Sequence, residues 1–542
     1  MLVVGAMADS ACGEVTMLSR RAFLETAAAS AALCVRAQEG GPLVARTAYG
    51  QVRGAPKDGV VLFKGIPYAG APVGEYRFRP APPLKPWSGV RDALVYGPQS
   101  MQAADPAWPK TWKAAESSED CLYLNVWTPA PDAKRRPVMF YSHGGGFATG
   151  NGGAEVTPQN LFHDGAALAR DYDVVVVTHN HRLNIMGYLY LGDLLGEEYA
   201  ASGIVGMLDI VAALEWVHRN IASFGGDPDR VMIWGESGGG AKTSVLTAMP
   251  GAQGLYHRAS VESGSALRMK SRDAASATAR AVLTALGLRE NQARQLLTMP
   301  TADLIAAMSR LPHPPPSLGR VSSGLAEGIG FAPMVDGHHL PTDPYDPVAP
   351  KISADIPMIV GTNKDETLFI VRAPDVLSMD EAGLRQRLTA MFQNNAGRIL
   401  EVYQRSRPGA TPAELFIAIT TAQWMLRDAI AMAERKAALR AGPVYMYQFA
   451  YGSPSPAPAG VPYHSGSAHA AEIGYKFDHV PEGKNMSAAW AAFARTGNPS
   501  HSGIPVWPPY TLDRRATMIL AEECHVVDDP HREERLLWES LG

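Results

Sequence analysis

Cysteine is scarce in this chain of 542 residues, which holds only four. That is too few to staple a fold of this length, so its core must come from apolar packing. Neither C-x-x-C nor H-E-x-x-H occurs, and no cysteine–histidine spacing suggests a structural zinc. A G-x-x-x-x-G-K-S/T cradle is missing too, which removes the usual seat for ATP. Charge of one sign is lacking: Lys and Arg number 49 against 53 Asp and Glu. With no lysine–arginine stripe, nucleic acid is excluded as a partner. No apolar run is long enough to span a bilayer, and no repeat with a period of about 20 to 50 residues is evident. What remains is a globular composition, 46% hydrophobic and 19% charged. The length suits one large domain or two to three ordinary ones.

The amino terminus stands apart from the fold. Ser19, Arg20, Arg21, Ala22, Phe23 and Leu24 precede an alanine-rich run that ends at Val35. Paired arginines before a short, weakly apolar run resemble a twin-arginine export signal, and Val35-Arg36-Ala37 is an acceptable cleavage site. Met17 is the expected start of translation. Residues 1–37 are therefore expected to be an export signal, and residues 38–542 a single domain delivered to the periplasm or secreted. If the arginines merely open an ordinary helix, the location is cytoplasmic. A lipoprotein site at Cys34 is poorly served by the bulky Leu33 before it. If Cys12 and Cys34 leave with the signal, only Cys121 and Cys524 stay.

From about residue 43 onward short apolar runs alternate with helical patterns. Val138–Tyr141, Val174–Thr178, Val231–Trp234, Ile356–Val360 and Val444–Phe449 are continuous apolar runs, which predicts strands buried on both faces. Ile210, Leu214, Val217 and Ile221 fall on one face of a helix that Gly225-Gly226 should end. Strands alternating with helices predict an α/β fold with a mostly parallel sheet, and ligands bind such sheets beyond the carboxyl ends of the strands. Pro312–Gly330 and Tyr451–Ala468, rich in Pro, Gly and Ser, are predicted surface loops.

The chemistry concentrates in VMIWGESGGGAKTS, Val231 to Ser244. An apolar run ends at Ser237, with Gly235 before it and Gly238, Gly239 and Gly240 after it. This is the sequence form of a nucleophile elbow, a strained turn from strand to helix that exposes a hydroxyl. Such a serine needs a base, the base needs an acid to orient it, and the oxyanion of the intermediate needs N–H donors. Upstream, His143-Gly144-Gly145-Gly146 follows a predicted strand, so the N–H groups of Gly145, Gly146 and Gly238 are the candidate oxyanion hole. Downstream, Asp365 and Glu366 are candidate acids. His464, His469, His479, His501, His525 and His531 are candidate bases. Only His464 and His469 follow directly on the loop leaving Val444–Phe449, and spacing does not choose between them.

Longer motifs resemble the type-B carboxylesterases, the α/β-hydrolases that include the cholinesterases. SSEDCLYLNVWTP (Ser117 to Pro129) and GGDPDRVMIWGESGGG (Gly225 to Gly240) are similar to that family's signatures. FKGIPYAGAPVGEYRFRP (Phe63 to Pro80), FAPMVDG (Phe331 to Gly337) and FARTGNPSHSGIPVWPPYT (Phe493 to Thr511) fit as well. The resemblance implies an α/β-hydrolase fold with large loop insertions forming a gorge, over roughly residues 43 to 530. It selects Glu366 from GTNKDET and His469 from HAAEIGYKF, and so implies a Ser237–Glu366–His469 triad, with Glu236 and Ser263 at positions that support it in relatives and Ser263 read first as structural. The activity implied is cleavage of a small-molecule carboxylic ester through an acyl-enzyme, without metal or organic cofactor. Amide, carbamate or polyester hydrolysis by the same machinery is the alternative, with a non-catalytic adhesion protein a remoter one. Three departures stand out. Gly238 replaces a frequent alanine, His181 a frequent tyrosine, and Ser100 the cysteine that would pair with Cys121. Trp108 and Trp112 lie in the loop between Ser100 and Cys121. Trp112 is read as a packing residue rather than a cation receptor. Oligomeric state is not legible.

Overall fold

The computed structural model describes residues 43–103, 115–153, 163–312, 320–370, 374–452 and 466–541. The expected export signal, Trp108, Trp112 and His464 lie outside them. From Val44 onward the chain forms one unit around a sheet of eleven strands. These are β1 (Ala55–Lys57), β2 (Val60–Pro67), β3 (Tyr123–Thr128), β4 (Arg136–Ser142), β5 (Val175–His179) and β6 (Gly226–Glu236). They continue as β7 (Arg258–Glu262), β8 (Met358–Asn363), β9 (Val444–Phe449), β10 (Ala516–Leu520) and β11 (His525–Asp528). Their spatial order is β11-β10-β9-β8-β7-β6-β4-β5-β3-β2-β1. Every pairing from β5 across to β10 is parallel. The edges β11 on one side and β3, β2 and β1 on the other are antiparallel.

The apolar runs are explained by what covers the two faces. Side chains alternate across a strand, and here both alternations are buried. Val138, Phe140, Val177, Ile233 and Val360 join a core that includes Ile210, Leu214, Val217 and Ile221. Met139, Tyr141, Val176, Trp234 and Ile359 join another, with Leu168, Trp490 and Phe493. Burying each such side chain contributes about 1.5–3 kcal/mol. The helices supplying these partners are α1 (Ala166–Tyr172) and α2 (Val205–Asn220), with Trp490 and Phe493 coming from a helix near the end of the chain; α3 (Gly238–Leu246) follows β6. The chain runs from β4 through α1 to β5 on one side. It then returns through α2 to β6 on the other, so the strand order reverses at β4. A crevice at the carboxyl ends of the strands is expected at such a point.

Two insertions build on this frame. Between β7 and β8 lie α4 (Arg272–Ala285) and α5 (Thr301–Met308), packed through Val282, Leu283 and Leu304 onto Phe78 and Ile185. Between β8 and β9 lie α6 (Glu381–Phe392), α7 (Ala396–Ser406), α8 (Pro412–Thr421) and α9 (Arg427–Ala438). Leu388, Ile399, Tyr403 and Phe416 from this group form a separate core with Trp538. Trp538 comes from α11 (Arg532–Leu541), which follows α10 (Lys484–Thr496). Between α8 and α9 one turn, Ala422–Leu426, winds as a π-helix. Among the described residues no single helix is long and apolar enough to cross a membrane.

All five predicted strands are present: Val444–Phe449 has the expected bounds, Val138–Tyr141 and Val174–Thr178 differ by one or two residues, and the strands around Val231–Trp234 and Ile356–Val360 run from Gly226 to Glu236 and from Met358 to Asn363. β8 begins at Met358 rather than Ile356, because Pro357 between them has no N–H for a ladder. The predicted helix ends at Asn220, with Ile221–Phe224 as a 3-10 turn closed by Gly225 at φ 80°. The predicted loop Pro312–Gly330 needs correcting: Val321–Ala326 is a short helix. Arg320 at its start is ion-paired with Asp428 on α9 at 2.6 Å, a long-range contact that composition could not announce. Residues 313–319 of this stretch and 453–465 of the second predicted loop lie outside the described residues.

One buried ion pair locks the segment after β5 to α2. Arg182 meets Asp209 through Nη2 at 2.7 Å and Nε at 2.8 Å, and its own N–H donates to the same carboxylate at 3.0 Å. The side chains are 3% and 0% exposed. Asp209→Ala leaves this guanidinium buried without its partner, at a cost of about 3–5 kcal/mol. The expected result is a clear fall in Tm by calorimetry, while Asp171→Ala, on an exposed pair, leaves Tm nearly unchanged.

Candidate active site

β6 delivers the chain into Ser237 at φ 57° and ψ −121°, and α3 begins at the next residue. A non-glycine residue in this region costs about 1–3 kcal/mol. The strain is held by the Ser237 N–H donating to the Glu262 carbonyl at 2.9 Å and by the Ser237 carbonyl accepting from Ala241 at 3.0 Å. The flanking glycines are dictated by distance. A Cβ on Gly239 would sit 2.0 Å from the Ser142 carbonyl oxygen, and one on Gly235 would sit 2.5 Å from the same atom. A Cβ on Gly238 would reach within 2.3 Å of the Gly146 nitrogen. An alanine at this position would therefore force the glycine loop aside.

Three distant segments converge on the serine. The His469 Nε2 lies 2.8 Å from Ser237 Oγ, and its Nδ1 lies 2.6 Å from Glu366 Oε2. Glu366 opens a 3-10 turn just after β8 and is fully buried, and its other oxygen accepts the Asn363 N–H at 2.7 Å. The His469 N–H donates to the Glu366 carbonyl at 3.3 Å, so backbone as well as side chain ties base to acid. Of the alternatives open in the sequence, Asp365 points elsewhere, accepting the Ser467 N–H at 3.1 Å. Glu236 Oε1 stands 3.4 Å from His469 Nε2. Burial pushes the Glu236 carboxyl well above the usual range, against the pull of His469. Burial alone would lower His469, but Glu236 and Glu366 outweigh it and hold the imidazole above its ordinary value.

The glycine loop faces this line from the end of β4. Gly145 and Gly146 take left-handed φ values of 84° and 61°, while the Gly145 carbonyl accepts from Ala148 and Thr149. The N–H groups of Gly145 and Gly146 find no acceptor among the described residues. That of Gly238, first in its helix, has none within the helix. Behind the loop, buried Lys242 donates to the His143 carbonyl at 2.8 Å, its ammonium pushed down to about 7 by burial. His143 stacks on His181 at 4.9 Å. Burial and the nearby Lys242 keep both rings neutral. His181 thus serves packing behind the loop.

Other residues singled out in the sequence sit close by. Ser263 donates its N–H to Gly361 at 2.9 Å, and its hydroxyl has no partner among the described residues. Cys121 is a free buried thiol, raised far above its ordinary pKa by burial. Ser100 accepts the Leu183 N–H at 3.2 Å. A two-rung ladder between Gln99–Ser100 and Ser117–Ser118 closes the mouth of that loop instead of a disulfide. Sequence reasoning missed Trp424, whose ring packs 4.9 Å from His469. It reaches the site from the π-turn between α8 and α9, a feature frequent at functional sites, and only that irregular winding could have signalled it. Among the described residues no group of three or more His, Cys, Asp and Glu is placed to hold a metal ion.

Comparison with known proteins places the chain. A family model described as "Carboxylesterase family" matches residues 41–538. The para-nitrobenzyl esterase of Bacillus subtilis is 36% identical over 514 residues, covering 91% of this chain and 97% of the relative. The crystal structure of a carboxylesterase from Geobacillus stearothermophilus superposes with TM-score 0.75 at 36% identity, covering 91% of this chain and 99% of that one. An esterase from Clostridium hathewayi, described as hydrolysing aliphatic aromatic polyesters, superposes with TM-score 0.76 at 34% identity over 93% and 98%.

The electrostatics set a pH response. If His469 works as a neutral base, activity rises with pH through its raised pKa. Glu236→Gln removes one of the charges that raise it, so the acid limb of kcat/KM should move to lower pH by roughly one unit. A pH–rate series on p-nitrophenyl butyrate reads this directly, and an unmoved limb would separate Glu236 from the titration of His469.

Proposed function

The chain belongs to the carboxylesterase family and is a carboxylic ester hydrolase, and on that premise we propose that Ser237, His469 and Glu366 carry the reaction. Ser237 Oγ attacks the ester carbonyl while His469 Nε2 takes its proton. Glu366, on Nδ1, fixes the tautomer and balances the imidazolium. The N–H groups of Gly145, Gly146 and Gly238 receive the oxyanion, each worth about 3 kcal/mol in the transition state. His469 then returns its proton to the departing alcohol. Water, deprotonated by the same imidazole, releases the acid from the acyl-enzyme. The observation that carries the reading is the continuous line Glu366–His469–Ser237 at 2.6 and 2.8 Å.

Polyester cleavage is a second activity for the same machinery, favoured by the polyester-hydrolysing relative. Leaving group and pocket shape decide between small esters and polymers, and Trp424 beside His469 is part of that shape. A purely adhesive role has little support beside a triad and a glycine loop that are both complete. We further propose that residues 1–37 direct export through their twin-arginine motif.

Ser237→Ala is expected to lower kcat on p-nitrophenyl esters by about 10⁴-fold or more, with Tm nearly unchanged because alanine keeps the Cβ and the same strained backbone. A series from acetate to laurate would give the acyl preference, and equal, inert behaviour of folded wild type and variant would overturn the assignment. For export, Arg20→Lys/Arg21→Lys should retain the protein in the cytoplasm on fractionation of a host with a twin-arginine pathway, and unchanged delivery would refute the signal.

A further inference from the structure

Beside the triad lies a group of charges that the reaction does not use. Lys476 is fully buried on the turn that carries His469. Its ammonium donates to Glu262 Oε2 and, at 3.2 Å, to Glu472 Oε1, and both carboxylates are wholly buried. Glu262 ends β7. Its Oε1 also accepts from Ser260 Oγ at 2.7 Å and Trp490 Nε1 at 2.6 Å, and its carbonyl takes the Ser237 N–H. The second oxygen of Glu472 accepts from the Asn363 amide, which also donates to the Ala468 carbonyl at 2.7 Å. The backbone N–H of Asn363 holds Glu366. An unbroken chain of hydrogen bonds thus runs from the backbone of Ser237 through Glu262, Lys476, Glu472 and Asn363. It ends on Glu366 and on the residue before His469.

We infer that Lys476 is a positioning residue for the triad: by keeping Glu262 and Glu472 both charged, it ties the strand behind Ser237 to the turn bearing His469 and, through Asn363, to Glu366. The inference rests on the triad reading above. Two carboxylates flanking one point in a dry interior cannot both stay ionised without a cation between them. Burial opposes the charge on Lys476, but Glu262 and Glu472 outweigh it and hold the ammonium above the usual lysine range. The other groups facing the cluster are Glu236 from β6, Tyr141 from β4, Tyr447 from β9 and the Trp490 ring 5.6 Å from Lys476 Nζ. Both phenols are kept neutral by burial and the surrounding glutamates. His469 aside, none of these supplies a second positive charge.

The test compares wild type, Lys476→Met and Glu262→Gln/Lys476→Met by kcat, KM and Tm across about pH 6 to 9. In Lys476→Met, Glu262 and Glu472 share one proton, and as pH rises that proton leaves. Its kcat on p-nitrophenyl butyrate should then fall by about tenfold or more across the range, with KM within about twofold. The wild type should instead rise as His469 becomes neutral. The Tm of the single variant should fall over the same window, because a carboxyl with a raised folded pKa loses its stabilisation as pH climbs through that value. In the double variant the alkaline loss should vanish, leaving a pH-independent deficit of about tenfold in kcat because the tie is cut. A folded Lys476→Met with the wild-type pH profile overturns the inference, and so does a double variant with wild-type kcat. Should the single variant fail to fold, kcat and KM of the double variant decide alone. An inert wild type would count against the triad reading instead, and the Tm–pH profiles would still report on the charge balance.

Discussion

β4 and β6 run side by side in parallel register, with Trp234 opposite Tyr141 and Gly235 opposite Ser142. At their carboxyl ends the elbow after β6 folds back over the Ser142 carbonyl so closely that no side chain fits between. This contact of bare backbone places Ser237, turns α3 away from the sheet and brings the Gly145–Gly146 loop against Gly238. The glycines around the serine are thus a requirement of distance before they are one of chemistry. They leave the N–H groups of Gly145 and Gly146 without an acceptor among the described residues. Lys242, braced on the His143 carbonyl, keeps that loop from relaxing.

The second requirement is electrical. Glu236, Glu262, Glu366 and Glu472 are all buried within one region, an arrangement that an apolar interior opposes by several kcal/mol per ion. Three of the four carboxylates have hydrogen-bonded partners. Glu366 has His469 and the Asn363 N–H; Glu262 and Glu472 share Lys476. Glu236 is the exception: among the described residues it has only His469, at 3.4 Å, and burial pushes its carboxyl up. The base therefore sits in a field made mostly of negative charge, well suited to stabilising an imidazolium as the transition state forms.

Insertions shape what the frame leaves open. The helices between β8 and β9 have their own core, closed by Trp538 from the far end of the chain. That core holds the π-turn whose Trp424 lies on His469. The ring beside His469 is thus carried by a core packed remote from the site, to which the α11–α7 contact belongs.

Period and spacing determined a good deal. Continuous apolar runs identified the five central strands because those strands are buried on both faces, and the glycine pattern pointed to the elbow at Ser237 and to the glycine loop facing it because close backbone approach is a local demand. The acid and the base were narrowed by order along the chain to Asp365 or Glu366 and to His464 or His469, then chosen by resemblance. Tertiary structure decided the rest. It turned Asp365 toward Ser467 and Glu366 toward His469, placed a helix at Val321–Ala326 beside the pairing of Arg320 with Asp428, and set Lys476 between Glu262 and Glu472. The physical reason is the same in each case. A strained turn or a buried strand is written in neighbouring residues, whereas charge pairing and ring packing join positions up to hundreds of residues apart, and only the folded chain says which partners meet.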